Sequence, residues 1–173
     1  MRRVFVALLF ISVCGLMAST TLAQTAGSND HRIVKTAPKN GVRVNAISSS
    51  ALDDPPTTDA DGTHASFTGG VIDRGNPLFD GLFTITENIV FANATNTVGT
   101  VSGVITIGSG KGDKQATVVI EYKGQIRKNV LAGNWKVSGA TGVAEGIKGT
   151  GTFSGTQSRK NLFLTLMGAV AKP

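Results

Sequence analysis

Cysteine is almost missing. The 173-residue chain carries one, Cys14, inside an apolar leader. With that leader removed there is no disulfide, no thiol nucleophile and no thiolate metal site. Aromatic residues are scarce, with a single tryptophan, Trp135, and a single tyrosine, Tyr122. That scarcity speaks against the stacking platforms of single-strand nucleic-acid binders and the aromatic girdles of an outer-membrane barrel. His31 and His64 are the only histidines, and neither has a partner at metal or triad spacing. A two-histidine zinc site and a Ser-His-Asp centre are therefore unsupported, and no metal or cofactor is expected. No segment holds a 3.6-residue apolar period over three turns, so amphipathic helices are not expected either.

Met1–Ala23 reads as a secretory signal. Arg2 and Arg3 form its charged start, and Val4–Ala18 is apolar but short for a membrane span. Thr21-Leu22-Ala23 fits a small-x-small cleavage site, so the mature chain is expected to begin at Gln24. Val13 precedes Cys14 where a lipoprotein site would carry a small residue. These features imply a secreted or periplasmic protein with no stable membrane anchor after cleavage. Of 17 Lys and Arg against 11 Asp and Glu, Arg2 and Arg3 leave with the signal, so the mature charge is +4. Lys111, Lys114, Lys123, Arg127 and Lys128 are the densest basic set, without interleaved aromatics. This is a solvated surface more than a nucleic-acid patch.

Residues 24–62 are polar and poor in aromatics, the composition of a disordered tail. Val42, Val44 and Ala46 alternate and would allow one short strand. Asp53-Asp54-Pro55-Pro56 breaks any regular element. Asp59, Asp61 and Gly62 form a fragment of a calcium loop that lacks the further oxygen ligands and the late glutamate. The ordered domain is expected over 63–173, where short strands alternate with turn chemistry. Leu82–Phe91 is the clearest strand. Gly108–Lys114 has Gly-Lys without phosphate-loop spacing or a following helix, so it reads as a hairpin loop. Asn93-Ala94-Thr95 is formally a glycosylation acceptor. A turn is expected at Lys123-Gly124. Strands every 8–15 residues with glycine-rich turns point to an all-β fold: a small antiparallel barrel of about eight strands.

Gly133–Gly155 holds seven glycines and Trp135. Trp135 and Val137 share one strand face. So many glycines suit positive φ, tight bends and close backbone approach better than a helix. Val143 and Ile147 could share one face of a helical turn that plugs a barrel end. The pattern made by Gly133, Trp135, Val137, Gly139, Thr141, Gly142, Gly146, Gly149 and Gly151 resembles the late-strand motif of the allene oxide cyclase and dirigent-like barrel superfamily, which includes secreted bacterial proteins of unknown function. The resemblance implies a barrel. It assigns no catalytic residue, because the plant enzymes' catalytic residues have no motif counterpart here.

One strand position is chemically odd. Phe83, Ile85, Glu87, Ile89 and Phe91 share the apolar face of Leu82–Phe91, so a carboxylate stands in a core-facing row, where it is costly unless paired or protonated. A bulge turning Glu87 outward, an ion pair, or a wet barrel mouth would each explain it. Ligand anchoring or acid–base work by Glu87, with Phe83, Tyr122 and Trp135 lining a cavity, is the functional alternative. Two function classes follow. One is a non-enzymatic barrel that binds a small apolar molecule or acts as an interaction module. The other is a cyclase- or isomerase-like enzyme working on a small apolar substrate in the lumen. A filled interior favours the interaction module, and a void lined by Glu87 and aromatics favours a bound ligand or a substrate.

Overall fold

The computed structural model describes residues 41–92 and 95–172. The expected signal segment, His31 and most of the Asn93-Ala94-Thr95 acceptor lie outside the described residues. Apolar alternation fixes the strands, since side chains one residue apart face opposite sides. The strands are β1 (Val42–Leu52), β2 (Thr57–Asp59), β3 (Gly62–Ile72), β4 (Gly81–Phe91), β5 (Val98–Ser109), β6 (Ala116–Arg127), β7 (Val130–Gly142), β8 (Lys148–Gln157) and β9 (Asn161–Ala171). Every pairing is antiparallel, in the order β1-β9-β8-β7-β6-β5-β4-β3. Pairing of β1 with β3, from Ile47↔Ile72 to Leu52↔Phe67, closes the ring. The fold is the expected all-β barrel, with eight strands closed and β2 added beside the start of β3. Closure removes the unpaired edges that an open sheet of this kind would expose.

Three expectations about boundaries are corrected. The barrel begins at Val42, not at Thr63: Val44, Ala46, Ser48 and Ser50 point inward from β1 and are buried. Serines at core positions hide the apolar signal, yet they fit, because Ser48 and Ser50 donate to the Leu164 and Leu162 carbonyls at 3.2 and 3.0 Å. Strand β6 runs straight through Lys123-Gly124, and the turn falls instead at Lys128-Asn129, both with positive φ. Strand β7 continues through Gly139 to Gly142 before the chain turns. Gly142 (φ +64°) and Gly146 (φ +79°) take the left-handed backbone expected of them, whereas Gly133, Gly139, Gly149 and Gly151 do not. In that turn Ala144 and Ile147 are buried, while Val143 is exposed.

Most strand glycines serve packing. Trp135 on β7 lies over Gly151 on β8 and Gly168 on β9, where an added Cβ would stand 2.6 Å from the indole. Tyr122 lies over Gly103 in the same way, at 2.8 Å. Large rings thus occupy the space that neighbouring strands leave empty, and an eight-stranded barrel has just enough interior for its own side chains. Phe67, Phe83, Ile85, Ile105, Ile107, Ile120, Leu131, Leu162, Leu164 and Leu166 fill it. Each contributes roughly 1.5–3 kcal/mol by burial. One end is closed by the β3–β4 loop. Asp73 accepts from the backbone N–H groups of Asn45 at 2.8 Å and Gly75 at 2.9 Å. A single 3-10 turn, Pro77–Phe79, then places buried Phe79 against Trp135, with ring centres 6.1 Å apart.

Candidate functional site

Glu87 does face inward, as its parity with Phe83 and Ile85 requires, and it is buried. Its partners are neutral. The Tyr122 hydroxyl donates to Glu87 Oε2 at 2.9 Å, and the Gln157 amide donates to Oε1 at 2.5 Å. Neither an outward-turning bulge nor an ion pair explains this carboxyl among the described residues. Burial pushes the Glu87 carboxyl above its ordinary range, and the two donated hydrogen bonds only partly offset that. Burial also pushes the Tyr122 hydroxyl well above its usual value, and the Glu87 charge adds to the effect. Tyr122 is therefore a fixed proton donor, and Glu87 is the group that titrates.

The three side chains come from β4, β6 and β8, alternate strands of the ring. β4 and β8 stand on opposite walls, so Gln157 reaches across the barrel to Glu87. A polar contact of that kind, once satisfied, selects one packing of the walls over others. Gln157 Oε1 is buried without a protein partner. Gln157 shares strand parity with Phe153, so its inward direction could have been inferred from sequence, but a polar strand-terminal residue gives no apolar signal to draw notice.

Of the other expected lining residues, Trp135 borders one concavity with Glu87 and Tyr122, and Phe83 does not. Trp135 pairs laterally with Tyr122, but its indole N–H donates to the Thr152 and Met167 carbonyls at 3.0 and 3.2 Å, away from Glu87. Phe83 is buried four residues along β4, between Gly69 and Ile107. Tyr122 packs edge-on against Phe153 with ring centres 5.1 Å apart. Gly133 and Gly149 face inward beside Phe153 and Val170, and a Cβ added at Gly139 would meet Val119 at an ordinary contact distance of 3.7 Å.

A concavity of about 1260 Å³ opens at the same level of the barrel. It follows the lateral row Ala65, Glu87, Gly103, Tyr122, Trp135 and Gly151, whose side chains point inward and whose backbone forms a floor. Its sides are outward residues one position away, among them Thr86, Ser102, Val104, Glu121, Lys123, Asn134 and Lys136. Core residues such as Ile85, Ile105 and Ile120 take no part. This is an outer-wall groove, and the apolar side chains beneath it are buried. Asp54, Pro55 and Thr57 border its β3 end, held there by Asp53, which accepts from the outward Ser66 and Thr68 hydroxyls at 3.0 and 3.1 Å. Glu121 and Lys136 pair within it at 2.9 Å.

No group of three or more potential metal ligands occurs among the described residues. The Asp59–Gly62 turn binds itself: Asp59 accepts from the Asp61 backbone N–H at 2.8 Å and meets His64 Nε2 at 3.1 Å. These contacts hold the exposed Asp59 carboxyl below its usual value, the backbone bond most of all. Compared with protein-family models and with curated proteins, the chain finds no match in either.

Proposed function

We propose that this protein is a secreted, non-enzymatic interaction module that binds through its outer wall. The observation that carries the reading is the filled interior beside a large exterior groove. A lumenal enzyme or lipid carrier needs space for its substrate, commonly about 300–1,000 Å³ of enclosed pocket. Glu87 has a titrating carboxyl, but Tyr122 and Gln157 occupy its oxygens and core side chains surround it. Its role is a cross-barrel hydrogen-bonded tie. The resemblance to allene oxide cyclase and dirigent-like barrels supports the scaffold and supplies no chemistry, since fold alone does not assign activity.

Native mass spectrometry of protein purified from its source tests the reading. The expected spectrum is bare polypeptide, or polypeptide with a partner that is lost on Lys123→Glu. A retained apolar molecule, lost on Glu87→Gln while the fold persists, would move the function into the lumen.

A further inference from the structure

The two halves of the chain differ in charge. Residues 41–92, which hold β1–β4, carry two cations, Arg43 and Arg74, against seven Asp and Glu. Residues 95–172, which hold β5–β9, carry ten Lys and Arg against three Asp and Glu. Strands consecutive in sequence are neighbours in the ring, so the two halves of the sequence are two sides of the barrel, one acidic and one basic. Three carboxylates of the acidic side are engaged by donors of that side. Asp53 holds the Ser66 and Thr68 hydroxyls, Asp59 holds the Asp61 backbone N–H and His64, and Asp73 holds two backbone N–H groups. On the basic side only Lys136 has an ion-pair partner among the described residues, and it is Glu121. The other nine cations are exposed. A surface of one sign with its charges unpaired attracts an anionic partner over a distance.

The outer-wall groove runs onto this basic side. From β3 to β8 it spans about 24 Å at the usual strand spacing, between two lateral rows of outward side chains two residues apart. In one row Lys123 stands between Ser102 on β5 and Asn134 on β7. In the other, Glu121 and Lys136 neutralise each other between Val104 and Thr150. The groove thus offers one free cation among hydroxyl and amide groups, a sparse anion site. Duplex DNA presents a charge about every 1.7 Å and calls for denser neutralisation. Single strands call for aromatic platforms, and Tyr122 and Trp135 point inward here. A bilayer is flat and does not enter a groove on a closed barrel. A sugar chain with one carboxylate per residue fits all three constraints: it is linear, its charges are spaced, and its hydroxyls find partners beside each charge.

We infer that the groove takes a linear acidic polysaccharide, a polyuronate. Lys123 anchors a carboxylate, Ser102 and Asn134 bond the neighbouring sugar hydroxyls, and the unpaired cations of the basic side steer the chain in. The inference rests on the outer-wall reading above and names its partner.

Isothermal titration of the full chain with polygalacturonate, at about 0.15 M ionic strength so that long-range attraction is screened, tests it. Saturable binding is expected. Lys123→Glu should weaken it about tenfold or more, the loss of one charged hydrogen bond, with an unchanged melting temperature. Arg74→Glu makes the same change of charge on the acidic side and should bind like the parent. Absence of binding overturns the inference. So does equal weakening by both variants, which would reduce the effect to net charge. Tighter binding of duplex DNA or of phosphatidylglycerol vesicles than of polygalacturonate also overturns it, giving the basic side to another polyanion. Each of these results leaves the outer-wall reading standing. That reading falls separately, if native mass spectrometry finds an apolar molecule whose retention depends on Glu87.

Discussion

β1 and β6 stand on opposite walls of one barrel and share almost nothing but the closure. Inward, β1 offers Val44, Ala46, Ser48 and Ser50, while β6 offers Val118, Ile120, Tyr122 and Ile126. Outward, β1 shows Asn45, Ile47 and Ser49, while β6 shows Glu121, Lys123, Gln125 and Arg127. The interior sorts residues by volume: β1 contributes small side chains, while glycines on β5, β8 and β9 leave room for the rings that neighbouring β6 and β7 project. The exterior sorts them by charge. The two sortings are independent, because adjacent residues of a strand face opposite ways.

The volume sorting is the easiest to break. Trp135→Ala empties the space above Gly151 and Gly168 and leaves two carbonyls without their indole donor. A loss of roughly 3–5 kcal/mol is expected in denaturant unfolding. The converse substitution, Gly151→Val, forces a branched side chain against the indole and the Met167 carbonyl. It should cost at least about 1–3 kcal/mol by overpacking. If either variant melted like the parent, the claim that strand glycines house rings from neighbouring strands would be wrong.

Glu87→Gln sharpens the comparison by acting on the tie between walls. The folded carboxyl titrates above its unfolded counterpart, so the native state binds the proton more tightly. The stability this contributes is complete below the unfolded pKa and declines as pH rises through the folded one. The variant should flatten that decline and be no less stable at neutral pH. A variant that keeps the parental pH profile would mean Glu87 is not the titrating group.

The smallest effect belongs to the charged wall. Lys123 is exposed and has no ion-pair partner among the described residues. Lys123→Ala should shift stability by no more than about 0.5 kcal/mol while weakening the binding proposed for the groove. A large thermal effect would place Lys123 in the architecture rather than in recognition.

The inside of the β4–β9 wall was legible from sequence because Phe83, Ile85, Ile120, Trp135 and Leu164 mark it by parity alone. Glu87 was found by the same rule. What stayed hidden was carried by small or polar residues. Ser48 and Ser50 disguised β1 as tail, since a buried serine satisfied by a strand carbonyl looks like a solvated one in sequence. Gly124 looked like a turn, yet it is an inward-facing strand residue where an added Cβ would stand 2.2 Å from the Ala132 carbonyl. The groove was invisible for a different reason. Its residues come from seven strands and become neighbours only through the register.

The central claim is that the barrel is packed and dry, so that binding belongs to its outer surface. Hydrogen exchange at the Trp135 indole N–H, followed by NMR, reads this directly. The donor is bonded to two strand carbonyls in the middle of the wall, so it should exchange only through global unfolding, with a protection free energy equal to that from denaturant melting. Exchange orders of magnitude faster at unchanged global stability would reveal a lumen open to water and contradict the account.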